Sequence, residues 1–73
     1  MGKRPPISNS VRELRETNAL TQAELGAAIG VTRQTIIAIE QDRYSPSLES
    51  AFRISRVFGV TLEDVFSWDE TLA

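Results

Sequence analysis

The sequence predicts an all-α domain of five short helices. Hydroxyl residues suited to capping helix starts recur at Ser10, Thr21, Thr32, Ser47 and Thr61. Behind each, apolar residues return after three or four positions and do not alternate, which is the period of a helix with one buried face. The 73 residues, 41% of them apolar, allow a single small core and leave no room for a second domain.

Residues 1–7 read as a polar, extended arm in which Lys3 and Arg4 precede Pro5-Pro6. The first helix is expected to start behind Ser10, with Glu13 completing a capping box, and to fade near Asn18; Val11 and Leu14 supply its apolar side. Thr21 and Glu24 form a second box, and Leu25, Ala28 and Ile29 face inward until Gly30 stops the helix. Thr32 caps a third helix that buries Ile36 and Ile39 and ends around Gln41-Asp42; Thr35 stands where a box would need an acid. Residues 42–47, DRYSPS, have turn chemistry. Ser47 then opens a fourth helix running to Phe58, with Leu48, Ala51, Phe52, Ile54, Ser55 and Phe58 around its buried side. Gly59 ends it, Thr61 with Asp64 starts a fifth helix reaching Phe66, and the tail SWDETLA shows no period. The resulting organisation is an arm (1–7), a domain (8–68) and a short tail (69–73).

Composition removes several classes of function. With no cysteine and no histidine, disulfides and thiolate or imidazole metal sites are excluded, and no metal or cofactor is implied. No carboxylate cluster or phosphate-cradling loop suggests an enzyme. The longest apolar run is far short of a membrane span, and MGKRPPISNS has no apolar leader, so a cytoplasmic protein without a membrane partner is expected. Net charge is −2, but its distribution is uneven: residues 1–43 carry six basic and five acidic side chains, residues 44–73 two and five. A nucleic acid needs only one locally positive face.

Three polar residues have no evident structural task. Arg33 and Gln34 open the third helix, where a cation opposes the helix dipole unless an anion lies in front of it. Arg43 follows the same helix. Arginine can donate bidentately to guanine and glutamine can pair with adenine, so this end of the helix suits a major groove. The competing reading is a solvated helix end.

The surrounding stretch, LTQAELGAAIGVTRQTIIAIEQDR at residues 20–43, resembles the helix-turn-helix of the Cro/repressor-type (XRE) family of transcription regulators. Leu20-Thr21-Gln22 is similar to the opening of that family's second helix, Leu25 to its buried leucine, Gly30-Val31 to its turn, and Thr32 to Ile36 to the start of its recognition helix. Tyr44-Ser45-Pro46-Ser47-Leu48 and Phe58-Gly59-Val60 extend the likeness over roughly residues 8–68, as in small stand-alone members. The resemblance implies a compact five-helix, lambda-repressor-like domain binding double-stranded DNA, with no small-molecule ligand. Its base contacts would be Arg33, Gln34, Ile37 and Ala38; its phosphate contacts would be Gln22, Thr32, Arg43, Tyr44 and Ser45. Arg15 and Glu40 would form a structural ion pair between the first and third helices. Ile37 has two readings, a contact for a thymine methyl or a core residue of a slightly rotated helix.

Two departures from the pattern have physical consequences. Gly26 replaces a usual alanine, so the second helix is either looser or closely approached by a neighbour. Gln41-Asp42-Arg43 replaces Asn-Gly-Lys, so Asp42 must take the left-handed turn and sits near a phosphate it would repel.

Val57, Val60, Leu62, Val65, Phe66, Trp68 and Leu72 offer more apolar surface than one small core absorbs. A two-fold homodimer through Leu62, Val65, Phe66 and Trp68 is expected, reading a palindromic operator and repressing by occupying it. Closure of the monomer core by the same residues is the simpler alternative. Lys3 and Arg4 either enter a minor groove or only solubilise the chain. Two other functions compete: a protein-interaction adaptor using the C-terminal apolar surface, and the antitoxin of a toxin–antitoxin pair.

Overall fold

The computed structural model describes residues 5–71, so Lys3, Arg4 and Leu72 lie outside the described residues. The chain runs β1 (Ile7–Asn9), α1 (Val11–Thr17), α2 (Gln22–Ile29), α3 (Arg33–Glu40), α4 (Leu48–Phe58), α5 (Leu62–Val65) and β2 (Phe66–Trp68). All five expected helices are present, but the fold is not purely α. β1 and β2 form a two-stranded antiparallel sheet with Ile7 opposite Trp68, Ser8 opposite Ser67 and Asn9 opposite Phe66. Backbone bonds lengthen this ladder at both ends, from Ser10 N to Val65 O (2.8 Å) and from Asp69 N to Pro6 O (2.7 Å). Ile7 therefore belongs to the folded body and not to a free arm. Strands of three residues are too short to display the alternation that identifies a strand.

Four of the five helix starts use the expected cap. Thr21 and Thr61 form complete boxes with Glu24 and Asp64, and Thr32 and Ser47 accept from Thr35 N and Ser50 N. Ser10 makes no side-chain cap bond; Asn9 takes its place, its Oδ1 accepting from Val11 N at 3.0 Å.

The core is built from Val11, Leu25, Ile29, Ile36, Ile39, Ile54 and Val65, all at 2% exposure or less, with Leu14, Val31, Phe58, Val60 and Phe66 packed around them. On α4 only Ala51, Ile54 and Ser55 are buried; Leu48 is 67% and Phe52 51% exposed, against the expectation that they face inward. The buried positions are spaced by three and four, and six apolar-side residues make too wide an arc for one helix to hide. Ser55 tolerates burial because its hydroxyl donates to Ala51 O at 2.9 Å.

Ala19 ends α1 with φ 57°, the left-handed region that disfavours a Cβ. Its N–H donates to Glu16 O (3.1 Å) and that of Leu20 to Arg15 O (2.9 Å), a Schellman closure normally given to glycine. Ala19→Gly is thus expected to stabilise the domain by about 1 kcal/mol, the usual left-handed penalty. An unchanged or lower urea midpoint would contradict that strain.

Candidate nucleic-acid interface

α2 packs on α3 more extensively than any other helix pair does. The chain turns between them at Gly30 (φ 81°), and Val31 N donates back to Gly26 O at 2.9 Å. Gly26 is the close-approach position: a Cβ built there would lie 2.8 Å from Val31 O and 3.3 Å from both Thr32 C and Thr32 O. The absent side chain lets the turn fold directly onto α2.

α3 is amphipathic in the sense the interface needs. Ile36 and Ile39 are fully buried, Arg33 and Gln34 are exposed, and Ile37 and Ala38 are half-buried between them. α3 is also the only one of the five helices with no acid in its first turn, while a cation, Arg33, occupies its first position. Thr32 keeps its hydroxyl on Thr35, accepting from the backbone N at 3.2 Å and sharing a 3.1 Å bond with Thr35 Oγ1.

An open groove of about 700 Å³ runs between α1, α2 and α3, and Arg12, Leu20, Gln22, Arg33, Ile37 and Gln41 are among the residues lining it. Ile37 is therefore neither a core residue nor a freely projecting one; it forms part of this wall. Beneath the groove lies a polar hub. Arg15 Nε donates to Glu40 Oε2 at 2.7 Å and Arg15 Nη2 to Glu40 Oε1 at 3.3 Å, with side chains only 12% and 4% exposed. Arg15 Nη1 also donates to Leu20 O at 3.0 Å. The hydrogen bonding of Arg15 to the Glu40 carboxylate is the main cause that raises the Arg15 pKa above its ordinary value, against the opposing pull of burial. Gln22 Nε2 donates to the same Glu40 Oε1 at 3.1 Å, so one carboxylate joins three helices. At the start of α2 the Thr21 backbone N–H holds the Glu24 carboxyl below its usual range, leaving a fixed negative charge there.

Helix-turn-helix geometry, with a cationic first turn on the second helix of the pair, invites comparison with known proteins. The helix-turn-helix family model HTH_3 matches residues 11–65. The chain belongs to the XRE-type helix-turn-helix family. Among the relatives of this helix-turn-helix protein, an uncharacterised HTH-type transcriptional regulator of Methanothermobacter thermautotrophicus is 56% identical over 61 residues, covering 82% of this chain and 88% of the relative. Another, from Methanocaldococcus jannaschii, is 45% identical over 64 residues, covering 88% and 97%. The cryptic phage CTXphi transcriptional repressor RstR of Vibrio cholerae is 34% identical over 65 residues, 89% of this chain and 59% of RstR. A putative DNA-binding protein from Bacteroides fragilis shares the fold at a TM-score of 0.76 and 16% identity, over 84% of this chain and 98% of that one.

Within the helix-turn-helix protein, the sequence-derived contact residues fall into two groups. Gln22, Arg33 and Ile37 meet at one groove. Gln34 and Ala38 on α3 and the exposed Thr32 at its cap lie outside that lining, as do the exposed Arg43 and Tyr44 and the half-buried Ser45 of the following turn. Arg12 joins the groove from α1 and was missed by sequence reasoning, because with Glu16 it looks like an ordinary surface pair (3.2 Å). Its position three residues before Arg15 was the available signal. Neither Arg33 nor Arg43 has an ion-pair partner among the described residues.

The expected dimer surface needs correcting. Val65 is 2% exposed and belongs to the monomer core, so it offers nothing to a partner. Val57 lines a separate depression with Ala28 and Phe52, and Val60 packs against the core. What remains near the C-terminus is a continuous apolar face: Leu62 and Phe66 line two adjacent depressions, the first with Pro46 and Leu48, the second with Trp68, and Ile7 belongs to both. Trp68 is 58% exposed. Among the described residues no three His, Cys, Asp or Glu side chains are grouped to hold a metal, and no helix is long and apolar enough to cross a membrane.

Proposed function

We propose that the protein is a sequence-specific double-stranded-DNA-binding regulator that acts as a homodimer and represses by occupying an operator. The observation that carries this reading is the first turn of α3, where Arg33 stands at a helix N-terminus with no acid in that turn and no ion-pair partner among the described residues. That arrangement is unfavourable to the helix alone and favourable in front of phosphates and guanine edges. Arg33 and Gln34 read bases, Ile37 and Ala38 offer methyl contacts, and Gln22, Thr32, Arg43, Tyr44 and Ser45 fix the register on the backbone. The apolar face of Leu62, Phe66 and Trp68 supplies a two-fold interface, which such a small reader needs to gain specificity and stability. The name of RstR, a transcriptional repressor, supports the sign of regulation.

Selection of a randomised duplex library at two salt concentrations tests this proposal. A palindromic site should be enriched, and affinity should fall with log salt at a slope of about −2 per protomer if Arg33 and Arg43 each displace counterions. Arg33→Ala should weaken binding to that site by about 1–3 kcal/mol and relax preference at one base position. Recovery of no site at low salt would overturn DNA binding in favour of an adaptor working through the Trp68 face.

A further inference from the structure

We infer that Asn9 is a positioning residue, whose side-chain amide clasps the start of α1 to the end of α3 and thereby sets the turn that presents Arg43. The inference rests on the DNA-binding reading and adds to it a residue outside the helix-turn-helix.

The end of α3 is a strained junction. Asp42 adopts φ 58°, and the chain closes with Asp42 N donating to Ile39 O (3.0 Å) and Arg43 N to Ala38 O (3.0 Å). This is a Schellman closure with aspartate where glycine is usual, so local preference alone holds it weakly. Asn9 reaches the junction from thirty residues away. Its Nδ2 donates to Ile39 O at 2.9 Å and to Asp42 Oδ1 at 3.2 Å, while its Oδ1 accepts from Val11 N at 3.0 Å. Both amide hydrogens and the carbonyl are thus engaged, and the three partners allow only one orientation of the amide. The bond to Asp42 also holds one oxygen of that carboxylate against the last residue of β1.

Asn9 is well placed to do this because its backbone is fixed independently. It is the last residue of β1 and pairs with Phe66 of β2, the strand that carries Trp68. The turn before Arg43 is consequently referenced to the sheet and not to α3 alone. Arg43 itself is exposed, and the geometry of its backbone decides where its side chain can reach.

The test is a double-mutant cycle on DNA affinity and on its salt dependence, using the full chain at a temperature where circular dichroism shows every variant folded. Asn9→Ala should bind about tenfold more weakly, and its log-affinity against log-salt slope should be shallower by about 1, the signature of one lost phosphate contact. In an Arg43→Ala background the same change should matter less than about twofold, because the residue it positions is gone. Asn9→Asp separates the two ends of the clasp: it keeps an acceptor for Val11 N but sets a carboxylate against Ile39 O and Asp42. It should reproduce the binding loss, and it serves if Asn9→Ala does not fold. Equal salt slopes for parent and both Asn9 variants, additive effects in the cycle, or an Arg43→Ala protein that binds like the parent would each overturn the inference while leaving DNA binding intact. A parent protein with no salt-sensitive DNA binding would overturn the functional reading itself, and this inference with it.

Discussion

Glu40→Ala is expected to cost about 3–5 kcal/mol of folding stability, the usual range for removing one partner of a buried ion pair. The Glu40 side chain is 4% exposed and accepts two bonds from Arg15 and one from Gln22, so its loss leaves a guanidinium with 12% exposure that has lost its ion-pair partner and retains its bond to Leu20 O and the weaker attraction of Glu16. Typical marginal stability for a domain of this size is about 4–11 kcal/mol, so the variant approaches the limit of folding. Urea denaturation of parent and variant checks the figure. A difference below about 1 kcal/mol would place the pair with exposed salt bridges and refute the burial argument. The apolar replacement of both partners, Arg15→Met with Glu40→Leu, should recover most of the loss, since the expense lies in the orphaned charge and not in the missing attraction. That double variant still lacks the acceptor for Gln22, and its DNA affinity should stay below the parent's at equal stability.

How far the sequence could be read depended on the range of each interaction. The Thr21–Glu24 and Thr61–Asp64 boxes were legible because both partners lie three residues apart. Ser10 with Glu13 has the same spacing and fails, because the neighbouring Asn9 side chain takes Val11 N and the chain at Ser10 is already committed to the sheet. Composition showed that α4 is amphipathic, but it could not decide which apolar residues the other helices would cover. Leu48 and Phe52 stayed exposed on the walls of open depressions that the neighbouring elements do not close, and Val65 went inside because α5 lies against α4. The sheet joins residues nearly sixty positions apart, and strands of three residues leave no local trace. The Arg15–Glu40 expectation came from family likeness; nothing in the local sequence links positions 25 residues apart. The third partner, Gln22, and the Asn9 clasp emerge only when the helices are set in place. At the interface, sequence marked Arg33 and Gln34 by their lack of a structural task, and Arg12 escaped because it had one.

Gly26→Ala should weaken both the fold and the DNA complex, although helix propensity argues the reverse. In an exposed helix interior the change would gain roughly 1 kcal/mol. At position 26 the new Cβ meets Val31 O at 2.8 Å and the carbonyl carbon and oxygen of Thr32 at 3.3 Å. These are backbone atoms of the turn, so no flexible side chain can swing away; relief requires moving the turn from α2. Overpacking costs about 1–3 kcal/mol when side chains can adjust, and a backbone obstacle belongs at the upper end, leaving a net loss of about 1–2 kcal/mol. The displacement is carried directly into Thr32, whose hydroxyl caps α3 through Thr35 N, and so into the orientation of Arg33 and Gln34. DNA affinity measured where both proteins are fully folded should therefore fall, which a change in stability alone would not produce. A Gly26→Ala protein that is more stable than the parent and binds equally well would mean that α2 is merely loose at this position and that the tight turn does not set the recognition helix.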